Sequence, residues 1–260
     1  AQQHPGYLFT APLKGKNGHS LLQINYGYYR CFVFVKNSHT VDVVQTTSQA
    51  YEAAAQFGKF TTLLNDFDAQ RLHITLPDFH NLALRYQQFE TAMNNGNTQR
   101  IAQAVEEISF LQSQKTIVEQ WQKFIAYKEA RQRVTHHDTK ISNVLFDENN
   151  KGICVIDLDT VMPGYYISDV GDMLRTYICP FSEEEKDLDK ITVRKEFVQA
   201  VQQGYFAQMQ NNLSAYEQDH FYFSGEFIIF MQALRFLTDY LNNDAYYGRK
   251  YETHNWVRAK

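Results

Sequence analysis

Thr135-His136-His137-Asp138-Thr139-Lys140-Ile141-Ser142-Asn143-Val144-Leu145-Phe146 is the stretch on which the reading of this chain turns. A His stands two residues before an Asp. An Asn follows five residues after that Asp and runs into an apolar Val-Leu-Phe segment. Asp147 to Gly152 reads as a turn. Gly152-Ile153-Cys154-Val155-Ile156 reads as a short buried strand ending at Asp157, with Leu158-Asp159 and Ser168-Asp169-Val170-Gly171-Asp172 beyond it. Lone Asp, Asn and His residues in loops are usually caps and turn formers, and a single D-x-x-x-x-N occurs by chance. The ordered combination is more specific. Phosphoryl transfer needs a carboxylate to orient an attacking hydroxyl, and oxygen ligands for Mg²⁺. Asp138 and Asn143 can face one cleft from such a loop. A hairpin returns Asp157 to the same place.

Working outward, Tyr7-Leu8-Phe9, Leu21-Leu22-Gln23-Ile24 and Arg30-Cys31-Phe32-Val33-Phe34-Val35 read as strands, the last as a buried one, with Gly15-Lys16-Asn17-Gly18 as a turn. From Ser48, read as an N-cap, the period becomes helical through Ala50, Ala53, Ala54, Phe57, Phe60, Leu63 and Leu64. Pro77 to Asn81 reads as a loop, Asn97 to about Phe124 as one or two helices, and Glu183 to Tyr247 as mainly helical. The fold class is therefore α+β: a small β region, then a mostly helical lobe with a β-hairpin set into it.

Composition fits an ordinary globular chain: 44% hydrophobic, 21% charged, 17 Tyr and 19 Phe among 260 residues. The net charge of −4, with no Lys/Arg run, argues against nucleic acid as a partner. No apolar run is long enough to span a bilayer, so no membrane role is expected. Cys31, Cys154 and Cys179 are far apart and form no C-x-x-C pair, which points to buried free thiols in a reducing, cytoplasmic setting.

At the 135–146 stretch the chain resembles the aminoglycoside phosphotransferase and choline kinase superfamily, relatives of the protein kinases. The shared pattern is H-x-D-x-x-x-x-N, a short hairpin, then I-D. Val134-Thr135-His136-His137-Asp138 through Phe146, with Val155-Ile156-Asp157-Leu158-Asp159-Thr160-Val161-Met162-Pro163-Gly164, is similar to the N-acetylhexosamine 1-kinase branch. Phe79-His80-Asn81 and Gln232 to Leu241 share that flavour, and the likeness covers nearly all of residues 7–260.

The resemblance implies a protein-kinase-like fold, with residues 1–36 as the remainder of a nucleotide-binding N-lobe and hinge. Residues 37–260 would form a helical C-terminal lobe carrying the catalytic loop and the acceptor site. It implies ATP as co-substrate, Mg²⁺, and a sugar as the small-molecule partner. Asp138 would be the catalytic base, and Asn143 and Asp157 the metal ligands. His136 and Asp169 would brace the loop. Backbone groups of Phe34, Val35 and Lys36 would bind the adenine edge. Asp159 either touches metal or sugar or caps a turn. Lys140 either neutralises the transferring phosphoryl group or is a surface lysine. Arg235 and Tyr246 are candidates for the acceptor site; Arg235 would otherwise pair with Asp239 one turn on. Tyr247, Trp256, His39 and Asp42 are weaker candidates.

A phosphate loop, a strand lysine and its glutamate partner should precede the hinge by several tens of residues. The expectation is a chain trimmed at its N-terminus, which binds Mg-nucleotide weakly and turns over poorly, while a longer parent is active. A naturally impaired relative is the other possibility. Three further readings compete. One is a different acceptor: an aminoglycoside, choline, homoserine or methylthioribose, choline requiring an aromatic cage. Another is a non-catalytic binding or scaffold protein, which would bind neither Mg-ATP nor N-acetylhexosamines. A sulfatase-like hydrolase is the third, and it finds no C/S-x-P-x-R motif. Oligomeric state is not legible.

Overall fold

A computed structural model describes residues 4–260. The chain opens with a short antiparallel ribbon, β1 (Leu22–Ile24) and β2 (Gly27–Tyr29), preceded by the turn at Gly15–Gly18. Tyr7 ties this region to the lobe below. It is buried, and its hydroxyl accepts the backbone N–H of Val155 at 3.3 Å. The Arg30–Val35 segment departs from the buried strand expected of its apolar composition. Phe32 makes one isolated bridge to Pro12, and Phe32, Val33 and Phe34 are 47%, 66% and 81% exposed. Among the described residues no second layer covers these side chains. A β-branched, aromatic run marks a buried strand only where such a layer exists.

Helix α1 (Thr47–Leu63) starts one residue before the expected cap. Thr46 and Gln49 form a reciprocal capping box, which satisfies two backbone N–H groups and outcompetes Ser48. The face carrying Ala50, Ala53, Ala54, Phe57 and Phe60 is buried, as its period predicts. It packs on α7 (Lys195–Met209) at very close range: a Cβ on Gly204 would stand 2.2 Å from the Tyr51 carbonyl oxygen. Between them in sequence come α2 (Leu82–Asn95), α3 (Thr98–Gln103), α4 (Val105–Ser113) and α5 (Thr116–Ala126). Residues 97–124 thus hold three helices, not one or two. The chain breaks at Ala104 and again at Gln114–Lys115, and the ends are short of strong side-chain caps.

Two small sheets position the site. β3 (Ser38–His39), β5 (Val144–Asp147) and β6 (Gly152–Val155) form one, with Val144 opposite Val155 and Leu145 opposite Cys154. This is the expected hairpin, with a third strand the sequence reading did not foresee. β4 (Gln132–Thr135) pairs antiparallel with β7 (Met162–Tyr165). α6 (Tyr166–Tyr177) follows directly and lies against the long α9 (Phe221–Leu241), with the short α8 (Ala215–Asp219) before α9 and α10 (His254–Ala259) closing the chain. Gly171 sets the α6–α9 distance, since a Cβ there would meet the Ser224 carbonyl oxygen at 2.2 Å.

The core is rich in whole aromatic side chains, including Tyr166, Tyr177, Tyr205, Tyr240, Phe57, Phe124 and Phe227. Two buried ion pairs cross it. Arg133 on β4 meets both oxygens of Glu217, at 2.7 and 3.2 Å, and Arg100 reaches Asp244 at 2.6 Å. Of the cysteines only Cys154 is buried. Cys31 is exposed and Cys179 intermediate, because Cys31 lies in the uncovered segment before Phe32. No helix among the described residues is long and apolar enough to cross a membrane.

Candidate active site

β4 ends at Thr135, and residues 136–143 leave it as a loop suspended from α6. Asp169 and Asp172 lie one turn apart on that helix, so both carboxylates face the loop. Asp169 accepts the backbone N–H of His136 at 3.0 Å on one oxygen and that of His137 at 2.7 Å on the other. Asp172 accepts the N–H of Thr139 at 2.7 Å. The Thr139 hydroxyl donates to the Asp169 carbonyl at 2.8 Å, and the Tyr177 hydroxyl donates to the Thr139 carbonyl at 2.6 Å. Burial pushes the Asp169 carboxyl up to about 7, against the two N–H bonds that pull it down. Arg175 balances Asp172 at 2.9 Å.

His136 is fully buried beneath the loop. Its Nδ1 accepts the N–H of Asp138 at 3.3 Å, so Nε2 must carry the ring proton, which it donates to the Ile156 carbonyl at 3.0 Å. Burial lowers the imidazole's pKa, in keeping with a neutral brace. His136 therefore links the loop to the strand that delivers Asp157. His137, next to Asp138, holds a left-handed backbone at φ 68°. Burial lowers its ring to about 4.

The half-buried Asp138 points one oxygen at two donors. Oδ2 lies 2.9 Å from Lys140 Nζ and 3.0 Å from Asn143 Nδ2. The same Asn143 amide donates to the Asp138 carbonyl at 2.8 Å, which turns its own oxygen away from Asp138. Asn143 closes a single 3₁₀ turn, and its carbonyl accepts the N–H of Ile156 at 2.9 Å. Asp157 follows at once, exposed and left-handed at φ 58°. An amide oxygen and a carboxylate at the open end of one hairpin suit Mg²⁺, which takes few protein ligands and completes its shell with water and phosphate oxygens.

The other sequence candidates fall in three places. Asp159 is ion-paired with Arg30 at 2.5 Å, and its carbonyl accepts the Thr75 hydroxyl at 2.9 Å. The pair lowers the Asp159 carboxyl's pKa. Phe34, Val35 and Lys36 lie on the uncovered N-terminal segment, where the Val35 carbonyl accepts the Ser38 hydroxyl at 2.8 Å. Arg235 and Tyr246 line a separate cleft between α2 and α9. Arg235 does not pair with Asp239, whose carboxylate is taken by the N–H groups of Tyr246 and Tyr247. Trp256 stacks on Tyr240 at 5.6 Å, as core packing. The sequence reading assigned no role to Asp172, Thr139, Arg30 or Arg85. The i, i+3 spacing of Asp169 and Asp172 was a usable signal for the first. The others carry no local signature.

Residues 18–216 match the phosphotransferase enzyme family, APH. The chain belongs to that family. As a phosphotransferase with a hydroxyl acceptor, it shares its fold with proteins of low sequence identity. An aminoglycoside phosphotransferase from Alicyclobacillus acidocaldarius superposes with a TM-score of 0.67 at 14% identity, over 99% of this chain and 73% of that one. A microcompartment-associated aminopropanol kinase gives 0.63 at 16%, over 99% and 74%. A choline kinase from Cryptosporidium parvum gives 0.50 at 16%, over 92% and 70%. For this phosphotransferase the α+β, kinase-like architecture read from the sequence holds.

Proposed function

We propose that this phosphotransferase moves the terminal phosphoryl group of ATP to a sugar hydroxyl, in the manner of an N-acetylhexosamine 1-kinase. One observation carries the reading. The Asp138 carboxylate sits on a loop pinned by Asp169 and Asp172, within reach of both Lys140 and Asn143. A carboxylate so placed can orient a hydroxyl and take its proton. Asn143 and Asp157 would hold Mg²⁺, which supplies charge neutralisation of the transferring group when bound. Lys140, now on Asp138, is placed to follow that charge. His136 and Asp169 hold the loop and touch no substrate.

On the nucleotide side, backbone groups of Phe34 to Lys36 would meet the adenine edge. Residues 1–36 would then be the nucleotide-facing part and 37–260 the lobe that carries metal, base and acceptor. Asp159, Arg235 and Tyr246 are the acceptor-side candidates. The reaction is mostly positioning and electrostatics. A coupled ADP-release assay over neutral N-acetylhexosamines, choline, homoserine and an aminoglycoside tests it. The proposal expects turnover with the N-acetylhexosamine and formation of a sugar 1-phosphate. Turnover confined to an amino alcohol or an aminoglycoside would overturn it.

A further inference from the structure

The cleft between α2 and α9 has a volume of about 700 Å³, within the range of small-molecule sites. Two guanidinium groups line it, and neither meets a carboxylate among the described residues. Arg235 donates to Gln232 Oε1 at 2.8 Å and lies 5.4 Å from the ring centres of both Phe79 and Tyr247. Arg85 donates to Gln88 Oε1 at 3.0 Å and to the Asp78 carbonyl at 2.9 Å, and its Nε is buried with no acceptor. Two more residues that line the cleft, Tyr247 and Thr238, carry buried hydroxyls without partners. Asp239 borders the cleft but is spent on Tyr246, Tyr247 and Asn255, at 2.7, 2.9 and 3.1 Å. Burial and the charge of Arg235 together lower the pKa of Arg85.

Two partly buried cations held in place by neutral groups, with unsatisfied donors beside them, are an unfavourable arrangement for an empty protein. They are a favourable one for an oxyanion, because guanidinium forks match carboxylate and phosphate geometry and keep their charge. We propose that this cleft binds a carboxylate or phosphate group. Its source is either the acceptor itself or a separate small anion. Phe79, whose ring centre lies 6.4 Å from that of His137, joins the cleft to the residue before Asp138. The acceptor-borne case rests on the reading of Arg235 and Tyr246 as acceptor residues. In the separate-anion case a neutral N-acetylhexosamine remains the acceptor. Either way the cleft repels a cationic acceptor such as choline.

The test is calorimetric titration of the purified protein with inorganic phosphate, without nucleotide or metal and at fixed ionic strength. Saturable binding is expected for the wild type and for D157N, which separates this cleft from the metal hairpin. R85Q and R235Q should each weaken it at least tenfold. Gln88→Glu is the variant least exposed to folding failure, because Gln88 is an exposed residue already hydrogen-bonded to Arg85. Its new carboxylate should occupy the Arg85 charge, raise Tm and abolish phosphate binding. Absence of saturable binding, or binding unchanged in all three variants, overturns the proposal.

The source is read from kcat/KM for a sugar bearing a carboxylate or phosphate against its neutral parent. A preference of tenfold or more that Q88E removes assigns the anion to the acceptor. Phosphate binding without that preference assigns it to a separate ion. Phosphate binding with no sugar turned over would leave the cleft standing while the sugar-kinase reading falls.

Discussion

Asp169 accepts the backbone N–H of His136 and of His137 on its two separate oxygens, at 3.0 and 2.7 Å. One buried carboxylate on α6 thereby fixes the two residues that precede Asp138. The amide-to-oxygen pattern needs both oxygens as acceptors. Asp169→Asn offers one acceptor and turns an NH₂ toward an N–H. It should lower kcat at least tenfold, chiefly through loop placement, while KM for the nucleotide changes little; equal loss in both constants would assign Asp169 a different role.

The same residue sets a pH dependence. Its folded-state carboxyl titrates at about 7, above the ordinary 3.8, so the native state holds the proton more tightly than the unfolded chain. Stability from this group is full below about 4 and is lost as pH rises through 7. That rise corresponds to about 4 kcal/mol at most. The stability of the wild type relative to D169N, from denaturant melts between pH 4 and 8, should fall as pH increases. A relative stability that rises with pH would contradict the assigned direction.

Asp138→Asn keeps size and the contact with Asn143 but removes the proposed base. We expect kcat to fall by about 10²–10⁴, with Mg-ATP binding within a factor of two of wild type. Single-turnover kinetics with a direct nucleotide titration separates the two.

Asp157 holds a left-handed backbone at φ 58°, a conformation Asn tolerates. D157N therefore removes charge without strain. Its Tm should match wild type, while the Mg²⁺ concentration needed for half-maximal rate rises about tenfold or more, as the proposed ligand role of Asp157 requires. Asn143→Ala should raise the Mg²⁺ requirement likewise but also lower Tm, since its buried amide donates to the Asp138 carbonyl and carboxylate.

Glu217 accepts from Arg133, from the N–H of Arg131 and from the N–H of Ser214, fully buried beneath β4. Glu217→Ala strands the Arg133 charge. It should cost about 3–5 kcal/mol, read as a drop in the urea midpoint, and the double variant R133M/E217L should recover most of it.

The loop and hairpin that carry the candidate site were legible because their pattern is local. Asp138, Asn143 and Asp157 are spaced by one loop and one hairpin, and the apolar runs flanking them announce β5 and β6. What joins distant segments was not legible. The Arg30–Asp159 pair spans 129 residues, and Arg85 on α2 shares a cleft with Arg235 on α9. Neither partner is marked in sequence, since charge pairing and shared clefts arise only after packing. The Arg30–Val35 run failed as a buried strand for the converse reason: its composition describes a covering layer that it does not find among the described residues. The cap of α1 lies at Thr46, two positions before the expected Ser48, because a capping box depends on Gln49 as well as on the cap.

The most direct test of the account is ³¹P NMR of the purified protein with Mg-ATP and an N-acetylhexosamine, beside its D138N variant. Turnover need not be fast. The account predicts a sugar 1-phosphate resonance that grows with ADP in the wild type and is absent over the same interval in D138N. A sugar phosphate formed equally by D138N, or ADP released without any phosphorylated sugar, would contradict it.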